Sequence, residues 1–202
     1  MYIRENFMHI NERNIILASK SPRRKELLEN IGLKFSVKPA DIEEIHRGKA
    51  DFGDIVIDLA EQKGEAIKTL MLDDGMIIAS DTIVVINNEI LNKPDDRDHA
   101  FEMLRLLSGK VHSVFTSLYV YDGYKKATIK DFTETKVEFY PLTDEQIIDY
   151  LDTHEPFDKA GAYGIHGYGS KFIKKIDGCF FSVMGFPIPL FSQNMYKLGY
   201  NL

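Results

Sequence analysis

Short runs of consecutive apolar residues alternate with longer stretches where apolar positions recur every three or four residues. The first pattern predicts strands and the second helices. An apolar strand is expected over 14–19, then a helix over 22–31 stopped by Gly32. A strand near 35–38 and a long helix at about 54–72 follow. Turn chemistry at Asp73-Asp74-Gly75 leads into Met76 to Ile86, which reads as one buried strand. Asn87-Asn88 then makes a tight hairpin turn into a short strand ending at Leu91. A helix from about 95 to 107 precedes two long strands, 111–121 and 127–139, joined through Asp122-Gly123. Thr143 to Gln146 is a capping-box pattern, opening a helix to about Thr153. A glycine-dense loop at 161–169 and a helix after Pro187 complete the pattern. The late hairpin cannot join an all-parallel order, so the class is α/β with a mixed sheet.

At 202 residues the chain can bury one substantial core or form two small lobes sharing a cleft. The first thirteen residues show no clear period and read as a dispensable extension ahead of a single domain over 14–202. The expected setting is the cytoplasm: no apolar run approaches the length of a membrane span, and no signal-peptide pattern is visible. One cysteine, Cys179, can neither close an internal disulfide nor build a zinc cluster; beside Phe180 and Phe181 it reads as a buried thiol. A net charge of −6 argues against nucleic-acid polymers as partners, but leaves room for a small basic pocket.

Several residues look costly for structure alone. Ser21-Pro22 is a good helix start, yet Arg23 and Arg24 occupy the first turn, where the helix dipole prefers acids. A strongly negative ligand at that N-terminus would reverse the sign of the cost. Asp81 stands inside an apolar strand and needs a cation, a donor set or solvent. Lys63 falls on the apolar arc of its helix, with Asp58, Glu61 and Glu65 opposite, and must snorkel or meet an anion. Lys93 sits in the stiff turn Asn92-Lys93-Pro94. Ser108-Gly109-Lys110-Val111-His112 leads from a helix into a strand where it could present polar groups to a cleft, although taken alone it reads as a helix C-cap followed by exposed residues. The 161–169 glycines allow close approach to a ligand, with Tyr163 or Tyr168 to stack on a base. Neither a Walker loop nor a dinucleotide fingerprint is present.

In order along the chain, Leu17-Ala18-Ser19, Ser21-Pro22-Arg23-Arg24, Ile42-Glu43-Glu44, Leu59-Ala60-Glu61-Gln62-Lys63, Ser80-Asp81-Thr82, Asn92-Lys93-Pro94, Ser108 to His112, Thr116 and Asp158 to Ile165 resemble the Maf family of nucleoside triphosphate pyrophosphatases. The resemblance implies a two-lobed, Maf/inosine triphosphatase-like α/β fold with a nucleotide cleft, often as a homodimer. It implies hydrolysis between the α and β phosphorus, releasing monophosphate and pyrophosphate, with Mg²⁺ or Mn²⁺. Arg23, Arg24, Lys63 and Lys93 would then grip phosphates, and Ser19 or Ser21 would add contacts. Glu44 and Asp81 would hold metal or activate water, with the assignment between them open. The Ala-Gly-Ala-Tyr-Gly-Ile loop resembles the dTTP/UTP branch, except that His166 replaces the glutamine usual there. Imidazole donates and accepts only through two separate nitrogens, so His166 would alter base preference or pH dependence.

Two other functions compete. A non-catalytic nucleotide-binding regulator of septum formation would have little need for a carboxylate pair. A phosphomonoesterase using Asp81 as nucleophile would lack the usual Asp-x-Asp, since Ile83 stands two residues on.

Overall fold

A computed structural model describes residues 7–43, 45, 47–48, 51–70 and 74–202. The chain forms two compact units: Met1–Asp81 with Thr116–Thr133 and Gly185–Leu202, and Thr82–Phe115 with Glu134–Met184.

In the first unit, β1 (Met8–His9) precedes β2 (Ile15–Leu17), whose three residues are all buried. Pro22–Asn30 forms α1, capped by Ser21, and β3 (Ser36–Val37) follows. Helix α2 runs over Phe52–Lys68, with the Asp51 carboxylate capping Gly53 and Asp54. Strand β4 (Met76–Ala79) is wholly buried. The strand at 76–86 expected from the apolar run is in fact two, because Ser80 and Asp81 interrupt it before β5 (Thr82–Ile86). Strand β2 pairs in parallel with β3 and β4, while β4 pairs antiparallel with residues 119–122. The sheet is therefore mixed within this unit alone.

The second unit contains the β5–β6 hairpin, with β6 at Glu89–Leu91. Both turn residues take the positive φ of the tight turn expected there, Asn87 at 51° and Asn88 at 67°. Helix α3 (Arg97–Leu107) is followed by β7 (Val111–Asp122) and β8 (Ala127–Phe139), each with residues in both units. Helix α4 (Asp144–Leu151) has the complete Thr143/Gln146 capping box. Strand β9 (Ile173–Asp177) pairs with the end of β8, a partner the sequence pattern did not suggest, and α5 spans Phe180–Met184. Back in the first unit, α6 is Ile188–Lys197 and β10 is Tyr200–Asn201.

Of the segment read as an extension, the described residues 7–13 are built into the first unit. Met8–His9 pairs in parallel with β10, and Ile10 is 1% exposed. Arg13 donates to the Asp74 carbonyl and lies 3.8 Å from Asp122, whose buried carboxylate also accepts from the Tyr200 hydroxyl at 2.6 Å. Ile10→Ala should therefore cost about 2–4 kcal/mol, read as a lower urea midpoint at unchanged m-value. A neutral result would restore the dispensable reading.

Cys179 is half-buried, and Phe180 and Phe181 are exposed, so the thiol is not the buried group expected. Residues 180–184 form a short surface helix, and its aromatic pair does not enter a core.

Candidate active site

The arginine-bearing turn is fixed by its own hydroxyls. Ser21 caps α1 by accepting from the Arg24 amide at 3.4 Å, and its amide donates to Ser19 Oγ at 3.1 Å. No acid occupies the first turn of α1. Arg24 folds back over this turn: Nη1 donates to Ser19 Oγ at 3.3 Å and Nε to the Gly185 carbonyl at 2.8 Å. Its Nη2 lies 3.8 Å from Asp81 Oδ1. Arg23, on the same turn, is half-buried.

Asp81 resolves the anomaly of a carboxylate in an apolar run by sitting at the break between β4 and β5. Its side chain is 13% exposed, and Lys63 Nζ donates to Oδ1 at 2.8 Å. The main chain is anchored as well: the Asp81 amide donates to Ser117 Oγ at 3.0 Å, and the Ser117 amide donates to the Asp81 carbonyl at 3.0 Å. Ser80 Oγ donates to the same Gly185 carbonyl that Arg24 uses, at 3.2 Å. Of the residues singled out in the sequence, the first unit brings Ser19, Ser21, Arg24, Lys63 and Asp81 together. Sequence reasoning missed Ser117 and Gly185, which carry no chemistry in sequence and act only through position.

Lys63 does meet an anion, and Asp58, on the face of α2 opposite it, has cationic and amide partners of its own. Asp58 is 7% exposed and accepts from Gln62 Nε2 at 2.8 Å and from Arg47 Nη1 at 3.2 Å. Gln62 also pairs with the Ile45 backbone, accepting its amide at 3.0 Å and donating to its carbonyl at 2.9 Å. Glu44, the other expected metal or base residue, lies outside the described residues. Among the described residues, no group of three or more His, Cys, Asp or Glu forms a ready-made metal cage.

Lys93 and His166 belong to the second unit. Lys93 is exposed after β6. His166 is half-buried and begins the turn at Gly167–Phe172; its Nδ1 has no hydrogen-bond partner among the described residues.

The nearby glycines answer to protein groups. The Glu155 carboxylate accepts from the Tyr150 hydroxyl at 2.8 Å, the Tyr168 amide at 2.8 Å and the Gly169 amide at 3.2 Å. A Cβ on Gly167 would lie 2.5 Å from Glu155 Oε2, and one on Gly169 2.8 Å from the Tyr150 hydroxyl. Tyr163 is 5% exposed, with its hydroxyl 2.8 Å from His112 Nε2, so it is a core residue and does not stack on a base. Tyr168, 64% exposed, keeps that option. His112 departs from the exposed reading of its segment: it is 2% exposed, whereas Lys110 and Val111 are exposed as expected.

A family model described as "Maf-like protein" matches residues 14–198. A dTTP/UTP pyrophosphatase of Clostridium tetani is 44% identical over 193 residues, covering 94% of this chain and 100% of that protein. A dTTP/UTP pyrophosphatase of Alkaliphilus oremlandii is 47% identical over 187 residues, 93% of each. The match to the solved Staphylococcus aureus Ham1 protein covers 80% of each chain at 15% identity and a TM-score of 0.47.

Proposed function

The chain belongs to the Maf family, and on that premise we propose that it hydrolyses dTTP and UTP, or closely related nucleotides, to the monophosphate and pyrophosphate. The observation that carries this reading is the Lys63–Asp81 contact of 2.8 Å beside Arg24, next to a helix start with no acid in its first turn. Phosphoanhydride cleavage needs positive charge around the phosphate oxygens and a water held in line, more than covalent help from the protein.

Arg23 and Lys63 bind phosphate in this reading, beside the positive dipole end of α1. Lys93 is a further phosphate ligand, and His166 tunes base preference. Arg24 is held by the Gly185 carbonyl, Ser19 Oγ and Asp81 among the described residues, so it contributes charge from a fixed position. Asp81, with Glu44, holds a divalent cation or takes the proton of the attacking water. The donor chemistry fits a hard cation: both described cationic contacts fall on Oδ1, and Mg²⁺ is commonly held by one or two carboxylates with phosphates and water. When bound, such an ion would neutralise developing charge on the phosphates.

We assign this activity to the cytoplasm, with free nucleotides as the partners and a homodimer as the working form. Among the described residues, no helix is long and apolar enough to cross a membrane. Product analysis tests the reaction: wild-type protein with Mg²⁺ or Mn²⁺ should release pyrophosphate and monophosphate from dTTP and UTP. Orthophosphate release would sink it, and turnover only of purines would move the substrate and point to His166. His166→Gln should raise the preference for dTTP and UTP over purine triphosphates several-fold, read as a ratio of kcat/KM values.

A further inference from the structure

Strand β7 carries Ser117, Tyr119 and Tyr121 at alternate positions, which share one face of a strand. Ser117 is fully buried and exchanges hydrogen bonds with the Asp81 main chain. Tyr119 is fully buried against α2. A Cβ on Gly64 would lie 2.2 Å from Tyr119 Cε1 and 2.4 Å from Cδ1, so the helix backbone rests on the ring where only glycine fits. The Tyr119 hydroxyl donates to Glu65 Oε1 at 2.5 Å. Lys68 Nζ stands 4.0 Å above the Tyr121 ring, one turn further along α2. Gly64 and Glu65 directly follow Lys63, and Tyr119 is the β-sheet partner of Ala79, two residues before Asp81.

We infer that this face of β7 is the gauge that sets the Lys63–Asp81 pair: Ser117 fixes the carboxylate through its main chain, while Tyr119 fixes the depth and register of α2 through Gly64 and Glu65. Ser117, Tyr119 and Gly64 are therefore positioning residues for the reaction, and none needs to touch substrate. The physical reason is leverage. The Lys63 ammonium reaches Asp81 only if α2 lies close to the sheet, and a methyl group at 64 must push the helix off the ring or turn the ring away. Misplacement of a reacting group by about 1 Å can cost a hundredfold in rate. The inference rests on the functional reading of the Lys63–Asp81 pair.

The test uses Gly64→Ala and the double variant Gly64→Ala/Tyr119→Leu, whose smaller side chain gives the new methyl room. Gly64→Ala should lower kcat for dTTP by about ten- to a hundredfold, with KM within about threefold. In metal-free protein, the ¹⁵N-edited ammonium signal of Lys63, assigned by its absence in Lys63→Met, should be visible in the wild type and lost in Gly64→Ala. Tyr119→Leu should return both the signal and most of the kcat, because it removes the clash and not merely a contact. Ser117→Ala should lower kcat without touching the Gly64 contact. Wild-type kcat and signal in Gly64→Ala would overturn the inference, as would lost turnover with an intact signal. If Gly64→Ala does not fold, the double variant decides: signal and turnover together support the gauge, and the absence of either overturns it. No pyrophosphate release by the wild type would end the functional reading instead, leaving the ammonium signals to judge the positioning.

Discussion

Replacing Asp81 by asparagine is expected to lower kcat by about a thousandfold or more while nucleotide binding survives. The amide keeps the size of the carboxylate and can still accept from Lys63 Nζ, now 2.8 Å from Oδ1, so the fold around the β4–β5 break should hold. What disappears is the negative charge, and with it the ability to take a proton or hold a divalent cation well. The same change leaves Lys63 and Arg24, 11–15% exposed at their side chains, without their described counter-charge. Two cations so placed attract a polyanion more strongly. In metal-free buffer, a non-hydrolysable dTTP analogue should therefore bind Asp81→Asn at least as tightly as the wild type. Calorimetry beside steady-state kinetics reads both quantities. Turnover retained within about threefold would remove Asp81 from the chemistry. Turnover and binding lost together would make it a structural residue.

The opposite directions of those two effects follow from a site partly visible in sequence. Cap signals were legible because their chemistry is local: Ser21 before Pro22, Thr143 three residues before Gln146, and paired asparagines at a hairpin turn all behave as their side chains dictate. The Lys63 and Asp81 anomalies were legible as costs, and each turns out to offset the other. Where partners are remote in sequence, the pattern was silent or misleading. Nothing around residue 185 shows that its carbonyl receives both Arg24 and Ser80. Apolar runs on both sides of Ser80-Asp81 made Met76 to Ile86 read as one strand, because both flanking strands are buried and their different hydrogen-bond partners leave no mark in the sequence. Helical phase placed Asp58 opposite Lys63 but did not show that Gln62 and Arg47 satisfy it in a buried position.

The glycine-dense loop shows the same division at closer range. Its conformational freedom was evident, but freedom has two uses, admitting a ligand or admitting the protein's own groups. Gly167 and Gly169 serve the second, since a side chain at either would collide with Glu155, Tyr150 or the Gly164 carbonyl. One carboxylate and one phenol thereby tie down residues 164, 168 and 169, leaving His166 at the centre of a fastened segment. A fixed segment can present a side chain with defined direction, which base discrimination requires.

Acidification is expected to destabilise the second unit through His112, and Gln at that position should remove the effect. Burial disfavours the imidazolium, pushing the His112 pKa down to about 4 from 6.5. Its described polar contact is the Tyr163 hydroxyl, itself buried with its pKa raised, and the ring packs edge-on to Phe139. The unfolded chain thus takes up a proton near pH 6.5 that the folded one refuses until about pH 4. Stability from this group is complete above pH 7 and is lost as pH falls through that window, by about 3 kcal/mol in total. Carboxylates also titrate below pH 5, so the wild type must be compared with His112→Gln, whose amide reaches Tyr163 but carries no titrating proton. Urea unfolding across pH 4–8 should show the wild type more stable at pH 7.5, because His112 fits its cluster, and losing that margin or falling below the variant near pH 4. Parallel curves for the two proteins would mean that the imidazole gains a partner for its second nitrogen on protonation, and that the core about it opens to water.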